Sequence, residues 1–308
     1  MSQMIAPPVG STKKGSRLQS HAASLNETGR EHNPRTRSSS QIAAPSEESL
    51  MRRLLVLTYG VVSYAIFFAT FCYAVGWVGN LWVPKSIDSV PVGPVWQALL
   101  VNTLLLTVFA VQHSVMARPA FKRWWTRFIP ESAERSTYVL LSSLALLLMF
   151  WQWQPLGGVI WNVENSTGRF LLHAMFGFGW LLVLATTFLI NHFDLFGLRQ
   201  VWVFARGKEY QPLGFVTPGP YRWVRHPLYV GWLCAFWFTP TMTAAHLLFA
   251  VVTTAYILVA IQLEERDLVD VHGRSYTEYR RSVPMLIPRA PRSFGSLGDP
   301  TLAPGENE

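Results

Sequence analysis

Apolar and polar positions divide this chain into a polar beginning, a long middle of apolar runs and a polar end. Six apolar runs stand out, at 54–78, 96–115, 137–154, 170–190, 227–239 and 243–263. The first four contain no Asp, Glu, Lys or Arg. Each reaches or approaches the ~20 residues that a helix needs to cross ~30 Å of hydrocarbon. Isolated strands would leave backbone groups unpaired in lipid, so helices are the expected elements. The pattern therefore predicts an all-α fold, a polytopic transmembrane helical bundle of five to six spans within residues 51–289. Run five is the exception, because Pro240 follows it and its length as a helix is only about 20 Å. Either it extends past a kink at Pro240, or its start is sunk below the membrane surface, where irregular backbone is tolerated only if it lines a protein cavity. Runs five and six should then form a tight hairpin through "TPTMTAAH" (239–246).

The flanks read differently. Residues 1–50 are rich in Ser, Glu, Lys and Arg with little apolar periodicity, so a disordered tail is expected. Residues 290–308, rich in Pro, Gly and Ser, are expected to form a second one. Basic residues alternate between loops. Arg118, Lys122, Arg123, Arg127 and Arg135 follow run two, and Arg199, Arg206, Lys208, Arg222 and Arg225 follow run four. The loops after runs one and three are almost free of them. That alternation predicts an even number of spans with both termini cytoplasmic. The segment "RPAFKRWWTRF" (118–128) mixes basic and aromatic residues, as a short interfacial helix does.

Composition agrees. Half of the 308 residues are hydrophobic and 14% are charged, against about 25% in ordinary soluble domains. A net charge of +8 is explained by basic loops between membrane helices, so no nucleic-acid partner is expected. The two cysteines, Cys72 and Cys234, lie in apolar runs with no metal-type spacing. They are expected to be buried hydrophobes, and no metal is expected.

Two constellations carry candidate chemistry. In "VRHPLYVGW" (224–232), Pro227 is suited to the first helical position, and the N–H groups of that turn could receive an anion. Arg225 could add a bidentate clamp. From position alone, Arg225 and His226 could equally be interfacial anchors. The second is "EERDL" (264–268) at the end of run six. If runs five and six pair antiparallel, Glu264 and Glu265 return beside Arg225 and His226, while Tyr276 and Tyr279 follow on a short helix. Among the remaining histidines, His192 with Asp194 and His113 end runs four and two on the basic side. An Asp beside a His could orient the ring and raise its basicity.

"RHPLYVG" (225–231), then "EERDL", "YTEY" (276–279) and "VPMLIP" (283–288) resemble the isoprenylcysteine carboxyl methyltransferase superfamily, integral membrane enzymes that use S-adenosylmethionine. "QHSVMARPAFKRWW" (112–125), "ERSTYVLLSSL" (134–144) and "INHFDLFGLRQVW" (190–202) extend the resemblance to thiol S-methyltransferases of its nurim-like branch over most of 51–288. The resemblance implies a bacterial cytoplasmic-membrane enzyme that methylates a small apolar thiol, methanethiol, to dimethyl sulfide. It implies a cofactor site of Arg225, His226, Tyr229, Gly231, Glu264, Glu265, Tyr276 and Tyr279. Arg225 and His226 would hold the carboxylate end, the glutamates the ribose hydroxyls or the ammonium, and the tyrosines with Trp232 the adenine or sulfonium. A thiol is most reactive as its thiolate, so a proton acceptor is needed, for which His192, Asp194, His113 and His226 are candidates. Sterol reductases share an RHPxYxG-like helix, but the doubled glutamate suits a phosphorylated dinucleotide poorly. A different methyl acceptor, such as a lipid amine or a prenyl-cysteine carboxylate, stays open at this point. So does a non-enzymatic role of the kind some nurim-like proteins have.

Overall fold

The computed structural model describes residues 47–213 and 217–288. Of the tails expected at 1–50 and 290–308, residues 1–46 and 290–308 lie outside the described residues. Helix α1 (Glu47–Gly79) begins inside the stretch assigned to the N-terminal tail, so the boundary expected at 50 falls within a helix. Glu47 at its start suits the positive end of a helix dipole.

Among the described residues five helices are long and apolar enough to cross a membrane: α1, α2 (Val95–Ala117), α4 (Glu131–Gln152), α5 (Ser166–Ile190) and α9 (Ala244–His272). The protein is a multi-pass membrane protein built as a helical bundle. Short helices lie between and after the spans: α3 (Pro119–Trp125), α6 (His192–Leu195), α7 (Leu198–Ala205) and α10 (Arg274–Ser282). Helix α3 occupies the basic, aromatic stretch expected to form one. Run five becomes α8 (Pro227–Trp237), an 11-residue helix that ends before Pro240 rather than continuing through it.

The two ends of the bundle differ. At the basic end, Arg118 on α2's terminus pairs with Asp267 on α9 at 3.1 Å, and Arg52 lies over the Phe204 ring of α7 at 5.8 Å. Both ends of the described chain lie here. At the other end a two-stranded antiparallel ribbon joins β1 (Val159–Asn162) to β2 (Thr241–Thr243). Strand β2 lies within the tight hairpin turn expected between runs five and six, and its pairing with β1 was not expected. Its pairing satisfies backbone groups of two loops that would otherwise have no partners. Asp88 ties the ribbon to the first loop, accepting from Asn80 at 2.8 Å and from the Thr243 hydroxyl, with His246 Nδ1 3.5 Å away. Thr243 also caps α9 by accepting from the His246 N–H at 3.1 Å. Burial alone would push the Asp88 pKa up. The hydrogen bonds from His246, Thr243 and Asn80 outweigh burial and hold it below the usual carboxylate value.

Helix α8 is fixed by backbone contact with α5. A Cβ on Gly179 would meet the Ala235 nitrogen at 2.6 Å and the Gly231 oxygen at 2.7 Å, and one on Gly231 would meet the Gly179 oxygen at 2.8 Å. Membrane helices approach this closely only through small residues. Above this crossing, Trp77, Phe150, Trp153 and Phe249 form an aromatic core, with Trp77 and Phe150 centroids 4.8 Å apart and Trp77 and Trp153 at 5.3 Å. The cysteines do not join a core: Cys72 is exposed and Cys234 half-buried. In a spanning helix an apolar position can face lipid, so apolar surroundings in sequence do not imply burial.

Candidate active site

Pro227 is the first residue of α8 and His226 its cap. Just ahead, the N–H groups of Arg225 and His226 donate to the carbonyls of Pro284 and Met285 at 2.8 and 3.2 Å. The "VPMLIP" segment therefore lies alongside residues 225 and 226 and satisfies their N–H groups.

Helix α9 does return its carboxylates here. Glu265 Oε1 accepts from Arg225 Nε at 2.7 Å and from His226 Nε2 at 3.0 Å. Tyr229 donates to Glu264 at 3.0 Å. His226, Glu264 and Glu265 are all buried. Arg225 Nη1 donates to the carbonyls of Arg280 and Val283 at 2.9 and 2.6 Å, so its guanidinium holds α9 and the C-terminal segment together. A bidentate clamp on a ligand carboxylate is not the arrangement seen. Because His226 Nε2 donates to a carboxylate, Nδ1 is an acceptor in the neutral ring. That atom is buried and has no hydrogen-bond partner among the described residues.

Tyr276 is buried against Leu268, with Tyr279 packed on the same cluster. Tyr279 donates to the Tyr221 carbonyl at 2.6 Å. Burial, with the charges of Glu265 and Glu264, holds the Tyr276 hydroxyl above its usual pKa, so it stays protonated. Gly231 is the exception in the expected set. It faces Gly179 of α5, where its lack of a side chain lets the two helices meet.

Beside the cluster runs a cavity of about 380 Å³, enclosed by α1, α2, α4, α5, α8 and α9 and lined mostly by apolar side chains. This lies within the usual range for small-molecule sites. Tyr229 and Glu264 form part of its wall, and the Tyr229 ring lies 5.6 Å from that of His226, which with Arg225 and Glu265 is outside the wall. Trp232 lines it too, edge-on to Trp180 at 5.2 Å.

The expected proton acceptors separate. His113 lines the cavity, with the Tyr138 hydroxyl 2.8 Å from Nε2 and Ser142 Oγ 3.3 Å from Nδ1. His192 also reaches the wall, and its two nitrogens are engaged more closely than those of His113. Thr187 donates its hydroxyl to the Leu184 carbonyl at 2.7 Å, so it accepts from His192 Nδ1 at 2.8 Å. Tyr64 then donates to Nε2, also at 2.8 Å. Burial lowers the His192 pKa, which keeps the ring neutral. Asp194 does not orient His192. Its carboxylate is taken by Arg199 and by the Tyr210 hydroxyl, each at 2.9 Å. Residues two apart on a helical turn do not face each other, which proximity in sequence conceals.

Arg135 and Tyr138 line the cavity without having been singled out for chemistry in the sequence. Arg135 is buried in the wall, its guanidinium 5.9 Å from the Tyr138 ring centre. Arg135, Tyr138 and Ser142 recur at helical spacing along one face of α4. A polar stripe on an otherwise apolar span was the signal available.

The chain has known relatives. The phospholipid methyltransferase family model matches residues 170–275. The chain is 60% identical to the methanethiol S-methyltransferase of Crocosphaera subtropica over 240 residues, covering 78% of this chain and 94% of the relative. It is 57% identical over 238 residues to the enzyme of the same name from Mycobacterium tuberculosis, covering 77% and 98%. Mouse Nurim is a more distant relative, 34% identical over 176 residues, covering 53% and 65%. No solved structure matches the chain significantly.

Proposed function

The chain belongs to the methanethiol S-methyltransferase family, and from that premise we propose that it is an integral membrane enzyme that transfers a methyl group from S-adenosylmethionine to methanethiol, giving dimethyl sulfide. The observation that carries this reading is the apolar cavity whose wall includes Glu264 and the Tyr229 that donates to it, with the Tyr229 ring 5.6 Å from that of His226 in the buried Arg225–Glu265–His226 cluster.

The residues fit a zwitterionic nucleoside cofactor. Glu264, Tyr229 and the unpartnered His226 Nδ1 offer acceptors for hydroxyl or ammonium groups. Glu265 and Arg225 hold those residues in place. Tyr276 and Tyr279 pack against Leu268 of the same α9 end, outside the cavity wall. When bound, S-adenosylmethionine supplies a methyl group on a sulfonium, which a thiolate takes by displacement to leave two neutral thioethers. The apolar walls exclude water, which favours a reaction in which charge is neutralised. We assign the thiol proton to His113, supported by its position in the cavity wall. Arg135 adds positive potential at the same end of the cavity, and this favours the thiolate. His192 and Asp194 serve as scaffold in this reading. The chain sits in a bacterial cytoplasmic membrane with both ends on the cytoplasmic side, because the basic loops gather at one end of the bundle.

The test is a headspace measurement. Purified protein given S-adenosylmethionine and methanethiol should release dimethyl sulfide, and omission of either should abolish it. No sulfide above a protein-free control would overturn the reading.

A further inference from the structure

The cavity is longer than methanethiol requires. Its wall residues recur at helical spacing: Arg135, Tyr138, Ser142, Leu146 and Phe150 on α4, and Phe249, Thr253, Ile257, Ala260 and Glu264 on α9. At 1.5 Å per residue each row extends about 22 Å along the bundle. The two ends differ in chemistry. Arg135, His113, Tyr138, Tyr229 and Glu264 gather toward the basic end. Toward the ribbon end, the wall is formed by Val78, Leu106, Met149, Phe150 and Phe249, all buried and apolar. The cofactor-binding groups place the reacting sulfur near the polar end. With the cofactor held at the polar end by Glu264 and Tyr229, methanethiol has only one methyl group beyond its sulfur to set against the apolar tract.

Resting on the methyl-transfer reading above, we propose that this tract takes the hydrocarbon of longer thiols, so that the acceptor class is primary alkanethiols through at least butanethiol. The step is unchanged by chain length. The thiol gives up its proton to a base, and its sulfur lone pair forms the new S–CH3 bond. The donor's S–CH3 bond breaks with its electron pair kept by the donor sulfur. The product is a methyl alkyl sulfide.

Burying one methylene favours binding about fourfold, and binding shared by ground and transition states appears in KM rather than kcat. From methanethiol to butanethiol, KM should fall roughly two- to fourfold per methylene at similar kcat. The assay uses purified full-length protein at one fixed detergent concentration, with methyl alkyl sulfides read by gas chromatography. Simple partition of thiols into micelles could imitate that trend, so Ala74→Phe is measured beside it. Ala74 lines the cavity between Phe71 and Val78, and a ring there fills the tract. In this variant butanethiol should lose at least tenfold more kcat/KM than methanethiol. If that protein fails to fold, Leu106→Phe fills the same tract from α2. The inference is overturned if butanethiol is not methylated while methanethiol is. It is equally overturned if the chain-length trend survives unchanged in a folded filling variant. Loss of turnover with every thiol, methanethiol included, would instead overturn the methyltransferase reading, and this inference with it.

Discussion

Glu265→Gln isolates the buried ion pair on which the site is built. Glu265 Oε1 receives both Arg225 Nε at 2.7 Å and His226 Nε2 at 3.0 Å, and the Arg225 and Glu265 side chains are only 12% and 7% exposed. Removing one partner of a buried pair costs about 3–5 kcal/mol, chiefly because the other charge is left uncompensated. Here Arg225 keeps the Arg280 and Val283 carbonyls, and Gln retains an acceptor oxygen. The expected loss is therefore at the low end, about 3 kcal/mol of unfolding free energy. Arg225→Met alone should cost a similar amount, because it strands the carboxylate. The double variant leaves neither charge unpaired, so it should be less destabilised than the sum by about 2 kcal/mol, within the range for residues in one network. Unfolding of each protein in mixed micelles, followed by tryptophan fluorescence, measures all three. If the effects add to within about 0.5 kcal/mol, the pair is not coupled and the reasoning fails.

His113→Ala should lower kcat about a hundredfold or more, the usual contribution of a general base, while calorimetry finds S-adenosylmethionine affinity unchanged. His192→Ala should destabilise the fold but keep the shape of the pH–rate profile; loss of its acidic limb would restore His192 as the base. Gly179→Ala forces a Cβ to 2.6 Å from the Ala235 nitrogen, and backbone cannot swing aside, so about 1–3 kcal/mol of stability should be lost by the same unfolding assay. Asp88 has a folded pKa below its ordinary 3.8. The stability it contributes is thus present above that value and lost as pH falls through the lower folded value. Asp88→Asn should flatten the acid limb of the unfolding curve, and an unchanged limb would show that the ribbon clamp does not titrate.

The spans were legible because lipid imposes one rule on every backbone group it covers. Runs of about 20 uncharged residues have no option but helix. The start of α8 at Pro227 was legible for a local reason, since proline fits the first helical turn. The return of Glu264 and Glu265 to Arg225 and His226 followed from antiparallel pairing of two adjacent runs. Side-chain direction was not legible. Gly231 lies in the motif, but its contact is Gly179, 52 residues earlier in the chain, and no local pattern names that partner. Asp194 sits two residues from His192 yet turns to Arg199 and Tyr210. The ribbon escaped because β1 and β2 have four and three residues, too few for alternation to appear. The cysteines were misread because an apolar position in a span can face lipid as readily as core.

The most direct measurement follows the methyl group itself. Purified protein is given S-adenosylmethionine with a trideuterated methyl group and unlabelled methanethiol, and the headspace is analysed by mass spectrometry. The account predicts dimethyl sulfide carrying one trideuteromethyl group from the wild type, and little from Glu264→Gln, which removes the carboxylate from the cavity wall. Unlabelled sulfide, or full labelled yield from the variant, would contradict it.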